Sequence, residues 1–226
     1  MHIDILTLFP SLFDGIFSNS ILKRAQQKQL VSIELHDIRN YSVDKHRRVD
    51  DYPYGGESGM VIKPEPIAAC IDYLRTIRQY DEIIFLTPDA QVLTQSLANE
   101  LSMNTNLLFL CGHYKGIDER IREMYITKEI SIGDFVLSGG ELPAAVLCDA
   151  VVRLIPGVLN DETSALSDSF QYGLLSYPVY TRPYDFRGNA VPEVLLSGNE
   201  KLITEWKLQK ALERTQEKRP DIWEKE

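Results

Sequence analysis

Two sets of glycines follow short apolar runs. Gly112 and Gly116 come after 107–111, and Gly133, Gly139 and Gly140 come after a run that begins at 129. A glycine admits a ligand or a second backbone where a Cβ would block it, and it tolerates positive φ. In an open parallel sheet, ligands bind beyond the carboxyl ends of the strands. The spacing therefore predicts a small-molecule pocket walled by backbone; simple turn chemistry is the alternative. Cys111 and His113 lie two apart, which in a strand puts a thiol and an imidazole on one face. A thiol nucleophile would need such a base and a third group to orient it, so a buried cysteine beside a loop histidine is the favoured reading. Arg153 closes a helical stretch, and Asp168 lies in 160–172, a segment with three acids and no base. Taken alone, both read as solvated surface, as do the basic residues 45–48. The GxxxxGK[ST], GxGxxG and GxSxG signatures are absent.

The elements that must position these residues follow from hydrophobic period. Residues 2–8 read as a strand, followed by a helix that starts at Ser11 or Asp14 and runs to about Leu30. A half-buried strand at 31–38 precedes a long loop, 39–60, which holds Lys45, His46, Arg47, Arg48 and three glycines but no apolar period. A helix is expected from Pro64 to about Thr76, with Ile67, Cys70, Ile71 and Leu74 on one side. Apolar runs at 82–88 and 107–112 flank a helix at 94–101. A strand from 129 passes through the glycine turn into a helix that ends near Arg153. Strands alternating with helices predict an α/β fold with a parallel sheet covered on both faces. After Pro156-Gly157 the composition changes. The expected organisation is a first domain at 1–159, a flexible linker at 160–175 and a helical second domain at 176–226. A helix at about 199–219, stopped by Pro220, places Lys207, Lys210, Arg214 and Lys218 on one face.

Composition narrows the class. Of 226 residues, 44% are hydrophobic and 25% charged, which excludes a wholly disordered chain. Lys plus Arg is 24 against 33 acids, a formal charge of −9, so nothing global advertises a nucleic-acid binder. The charge is uneven: 199–226 holds seven bases and seven acids, leaving 17 bases against 26 acids elsewhere. No apolar run approaches the roughly 18 residues of a membrane span, and the start lacks the basic flank and apolar core of a signal peptide. Cys70, Cys111 and Cys148 form no CxxC pair, so neither a disulfide framework nor a cysteine metal site is expected. A reducing cytoplasm is the expected location.

Eight segments, read together and in order, carry a further signal. They are LTLFP at 6–10, HRRVDDYPYGGESGM at 46–60, CGHYKGIDER at 111–120, SIGDFVLSGGELPA at 131–144, RLIPGVL at 153–159, DSF at 168–170, YTRP at 180–183 and VPEVLLSGN at 191–199. Through them the chain resembles the bacterial tRNA (guanine-N1)-methyltransferases of the SPOUT superfamily. The resemblance implies an α/β SPOUT fold: a parallel sheet with a deep C-terminal trefoil knot, followed by a small helical domain. Strand patterning alone gives only a plain doubly wound sheet, because true knots are too rare for it to choose one. It further implies a homodimer with active sites at the subunit interface. The expected reaction transfers a methyl group from S-adenosylmethionine to N1 of the guanine immediately 3′ of the tRNA anticodon.

The implied donor-binding residues are Leu86, Thr87, Pro88, Gly112, Ile132, Gly133, Asp134, Phe135, Val136, Leu137, Gly139 and Gly140. Asp168 and Arg153 match the family's catalytic pair. Asp168 is the implied general base for the guanine N1 proton. Arg153, always protonated, would stabilise the anion that develops on O6. The segment carrying Asp168 is implied to close over the partner subunit's site, and the C-terminal helices to grip the anticodon stem-loop. Ala90 stands where relatives often have glycine. Lys115 and Ser176 stand where some relatives carry acids, so no protein ligand set for a metal is expected, with magnesium's role open between the site and the folding of the RNA. Two competing readings are another SPOUT RNA methyltransferase and a knotted RNA-binding protein without catalysis. The second would bind tRNA and transfer no methyl group.

Overall fold

A computed structural model describes residues 1–159 and 168–223. Two compact units divide the chain, 1–160 and 161–226. The first is built on a five-stranded sheet in the order β2-β1-β6-β5-β7. Its strands are β1 (His2–Thr7), β2 (Ser32–Asp37), β5 (Glu82–Val92), β6 (Asn106–Cys111) and β7 (Lys128–Ser131), and every pairing is parallel. Two further short strands, β3 (Asp50–Asp51) and β4 (Val61–Ile62), pair antiparallel.

A parallel sheet needs cover on both faces, and the strand residues divide accordingly. Ile3, Ile5, Ile84, Leu86, Leu107, Phe109 and Ile130 are buried with residues of α1 (Ser20–Gln27), α3 (Gln95–Ser102) and α5 (Glu141–Val152). Leu6, Ile83, Phe85, Leu108 and Leu110 face the other way, against α2 (Pro64–Ile77) and α4 (Glu119–Tyr125). The α2 stripe of Ile67, Cys70, Ile71 and Leu74 is buried throughout.

Several boundaries differ from the sequence reading. The helix expected from Ser11 or Asp14 is instead a single 3-10 turn at Pro10–Phe13, a reversal, and α1 from Ser20. The reversal is held by Asn19, whose side-chain amide donates to the Gly15 carbonyl at 2.7 Å. β5 does not stop at Pro88 but runs to Val92, because the pairing with β7 shifts register between Leu86 and Gln91. That irregularity is where a strand accepts a residue with no N–H to donate. The strand expected from 129 is β7, which ends at Ser131, and the chain then turns and enters α5 at Glu141 as the reading has it. Helix α4 was not anticipated; of its seven residues only Ile121 is buried, too little to set a period.

Asp4 is the other departure. Its polar position in β1 suggests a solvent face, yet it is fully buried. It accepts hydrogen bonds from Arg78 at 2.7 Å and Tyr80 at 2.5 Å, and its other oxygen lies 2.6 Å from His36 Nε2. Burial opposes its ionisation, but the hydrogen bonds from His36 and Tyr80 and the charges of His2 and His36 hold the carboxyl below its ordinary 3.8. A depressed carboxyl contributes stability that is complete above 3.8 and lost as pH falls through the lower folded value. Asp4→Ala is therefore expected to cost about 3–5 kcal/mol near neutral pH, the usual cost of removing one partner of a buried ion pair. The gap between wild type and variant should shrink below about pH 4. Urea titrations at both pH values check this; a pH-independent gap would place the loss in packing rather than charge.

In the second unit the long helix Glu200–Lys218 is capped by Asn199, whose side chain accepts from Leu202 N at 3.3 Å. A two-stranded hairpin pairs Asp185–Phe186 with Asn189–Ala190. Of the segment expected as a linker, 160–167 lies outside the described residues. The described remainder folds back on itself: Phe170 N donates to Leu174 O at 2.7 Å, and Ser169 Oγ lies 3.0 Å from Ser176 Oγ.

Candidate active site

The carboxyl ends of β5, β6 and β7 open into one cleft of about 390 Å³, within the range of small-molecule sites. It is lined by Leu86, Thr87 and Pro88 from β5, by Gly112 after β6, and by Ile132, Gly133, Phe135, Val136, Leu137, Gly139 and Gly140 after β7. All the donor-binding residues implied by the sequence therefore meet in one place except Asp134, which is exposed and does not line the cleft.

The segments after β6 and β7 are joined by backbone. Gly140 N donates to Gly112 O at 2.8 Å, and His113 bridges Gly139 antiparallel. A Cβ on Gly140 would lie 2.7 Å from Cys111 Cα and 3.0 Å from Gly112 N, so only glycine fits. α5 begins at this junction. Its first residue, Glu141, is buried, accepts a hydrogen bond from Thr7 Oγ1 at 2.7 Å, and so ties the helix to the end of β1. The N-terminus of a helix favours an acid, but nothing local in GGEL reveals that this one is buried, because Thr7 is distant in sequence.

Polar groups line the cleft as well. Arg122 is held by Glu129 at 2.7 Å, Asp89 at 3.1 Å and Glu119 at 3.5 Å. The hydrogen bond from Thr87, with Arg122 alongside, holds Asp89 below the usual carboxylate range. Tyr114 and Lys115 stand on the rim; the sequence reading assigned neither to the donor pocket. The Cys111 thiol is fully buried, and burial, with Glu141 nearby, pushes it well above its ordinary value. A thiol so placed stays protonated and is no nucleophile. The His113 ring lies against Phe9 at 4.9 Å, with Nε2 3.9 Å from Glu141.

Arg153 caps the C-terminus of α5 and lines a second, largely apolar groove with Ile16, Ile21, Leu142 and Val146. Ile132 and Leu137 line both cavities, so the groove adjoins the cleft. Asp168 belongs to the second unit and is half-buried. Among the described residues, the one trio spaced to hold a metal is His2, Asp4 and Glu34, on β1 and β2 rather than on the cleft.

No helix among the described residues is long and apolar enough to cross a membrane. The family model described as tRNA (guanine-1)-methyltransferase TrmD matches residues 1–225. A tRNA (guanine-N(1)-)-methyltransferase of Bacteroides fragilis is 60% identical over 224 residues, covering 99% of this chain and all of the relative. The Cytophaga hutchinsonii protein of the same name is 58% identical, over 100% of this chain and 96% of its own. The Christiangramia forsetii protein is 54% identical over the full length of both. With likeness of that extent, and with the cleft formed by the segments that carry it, the chain belongs to the tRNA (guanine-1)-methyltransferase family.

Proposed function

We propose that the protein methylates N1 of the guanine immediately 3′ of the tRNA anticodon, with S-adenosylmethionine as co-substrate bound in the glycine-walled cleft. The observation that carries the reading is the Gly112–Gly140 junction. It brings three glycines, Gly112, Gly139 and Gly140, to the cleft, where the absence of side chains leaves room for a ligand to approach the backbone, in a chain related to this family along its whole length. Leu86 to Pro88, Gly112 and Ile132 to Gly140 would hold the donor, which supplies an electrophilic methyl group on a sulfonium.

In neutral guanine N1 bears a proton, and its lone pair is delocalised. The Asp168 carboxylate takes that proton, and the resulting charge spreads to O6. The Arg153 guanidinium stabilises it there, as an oxyanion donor does. N1 then has an electron pair to form the N–C bond while the C–S bond breaks. We place this chemistry at a homodimer interface, with Asp168 closing over the partner subunit's cleft. The support is the apolar groove that shares Ile132 and Leu137 with the cleft: Leu142 and Val146 are about half exposed on its wall, and Arg153 lies at its side. A second copy seated there would bring its own chain to the cleft's edge.

The trefoil knot is part of the same reading. β7 is an edge strand, yet the helix that follows it packs over β6 at the sheet's centre. To reach it, 132–140 passes back across the end of β6 at Gly112. We assign 1–159 to donor binding, 160–175 to closure and 176–226 to tRNA. On the long helix, Lys207, Lys210, Arg214 and Lys218 would meet phosphates of the anticodon stem, contacts that position rather than specify. Lys207 lies 4.8 Å from the Tyr177 ring and Lys210 2.6 Å from Glu213. We assign magnesium to tRNA folding, since Lys115 already brings a positive charge to the rim.

The test is methyl transfer from labelled donor to tRNA transcripts that differ only at the nucleotide after the anticodon. Incorporation is expected with guanine and not with adenine. Equal incorporation into both would point to another RNA site, and tRNA binding with no transfer to a non-catalytic protein.

A further inference from the structure

One loop, 113–117, lines the cleft, and backbone hydrogen bonds zip it to 60–62, the end of the loop 44–60 and the strand β4 that follows it. Lys115 N donates to Met60 O at 3.0 Å, Ile62 N to Gly116 O at 3.1 Å, and Asp118 N to Ile62 O at 3.1 Å. This fixes the point from which the Lys115 side chain leaves. Its stem then crosses Gly59, where a Cβ would stand 3.0 Å from Lys115 Cγ; Gly59 also has φ +108. The crossing brings the ammonium to 3.5 Å from Glu57 Oε2.

The surrounding charges give that contact meaning. Among the described lining residues, Lys115 and Arg122 are the lysines and arginines of the cleft. Arg122 is committed to three carboxylates, two of which, Asp89 and Glu119, are themselves cleft residues. Lys115 differs: Glu57 stands outside the cleft lining, and the pair is 51% and 72% exposed. An exposed pair at this distance favours its closed form by a factor of about five at most. An anion inside the partly enclosed cleft would make a stronger, charge-assisted contact.

We infer that Lys115 is an anion clamp for the substrates. It leaves Glu57 to hold an anionic oxygen in the cleft, and Glu57 is the competing counter-ion that sets the strength of its hold. The anion is either the carboxylate of the methyl donor or a phosphate of the nucleotide being methylated. The inference rests on the methyltransferase reading of the cleft and adds a substrate-positioning residue to it.

The experiment uses the full chain as wild type, Lys115→Ala and Glu57→Gln. One arm measures S-adenosylmethionine affinity by calorimetry without RNA; the other measures tRNA affinity across a salt series without donor. Lys115→Ala should weaken one ligand about three- to tenfold, and Glu57→Gln should tighten the same ligand about two- to fivefold. Movement in the donor arm alone identifies the carboxylate. Movement in the tRNA arm, with the salt slope reduced by about 0.7–0.9 in Lys115→Ala, identifies a phosphate. A pair that merely latches the loop predicts effects of the same sign, so weakening by both variants overturns the clamp, as does no change in either arm. A wild type that neither binds donor nor methylates tRNA would instead overturn the methyltransferase reading. Wild-type activity with two silent variants overturns the clamp alone.

Discussion

Asp168→Ala is expected to lower single-turnover methylation by about 10²–10⁴-fold, the usual contribution of a positioned general base, while donor affinity stays near wild type. The two readouts separate because the donor cleft is lined within 1–160, whereas Asp168 belongs to the other unit. As the proposed base, the carboxylate would be required only when the N1 proton leaves, an interaction made on the way to the transition state, so the loss should fall on the rate rather than on binding. Asp168→Asn keeps the shape but cannot accept the proton, and it should be nearly as slow as Ala. Rapid-quench methylation with saturating tRNA and donor, beside calorimetric titration of the donor, measures both. Near-normal transfer by either variant would remove Asp168 from the proton-transfer role.

What the sequence reveals of this molecule follows the range over which its interactions act. The core strand β6 is legible because burial on both faces makes it a continuous apolar run, β1 because Ile3, Ile5 and Leu6 stand out within a short segment, and α2 because Ile67, Cys70, Ile71 and Leu74 repeat at helical spacing. The glycines of the cleft are legible because a backbone wall can be made from few residue types. Features that depend on distant partners are not legible. Asp4 looks like a solvent-facing acid until His36, Arg78 and Tyr80 arrive from two other parts of the chain. Glu141 looks like an ordinary first-turn acid until Thr7 meets it. Lys115 and Glu57 are 58 residues apart, and only the zipped loops bring them together. Arg153 and Asp168 carry no local signature at all, and only resemblance to the family singles them out. Local rules failed in two other places for a geometric reason. β5 absorbs Pro88 where its pairing shifts register, and the apolar residues after Pro10 serve a tight reversal instead of a helix.

Gly140→Ala should weaken donor binding more than any other single methyl group added to the cleft. Gly140 has φ −81 and ψ −3, a negative-φ conformation open to alanine, so no left-handed backbone stands in the way. The obstacle is space: the added carbon would sit 2.7 Å from Cys111 Cα and 3.0 Å from Gly112 N. Both are backbone atoms of the central strand and its exit, and neither can rotate away. The junction must open, and with it the hydrogen bond from Gly140 N to Gly112 O that joins the two segments. Overpacking of this kind costs about 1–3 kcal/mol, which as a loss of donor affinity is about 5- to 150-fold. Gly139→Ala supplies the contrast. Its Cβ would meet Glu141 Oε2 at 2.4 Å and the His113 ring at 2.5 Å, side-chain atoms that can shift, so its effect should be smaller. Calorimetry on both variants, with thermal melts to confirm that each is folded, ranks them; equal affinities would show that the junction yields. Pairing Gly140→Ala with Asp168→Ala in one heterodimer then tests where the base acts. If Asp168 serves the partner subunit's cleft, each subunit lacks a different half of the site. One of the two clefts keeps an intact junction and faces an intact Asp168, so activity should return to about half that of wild type. If the base served its own subunit, neither cleft would be complete, and at a donor concentration too low to fill the Gly140→Ala cleft the mixed dimer would be as inactive as its parents.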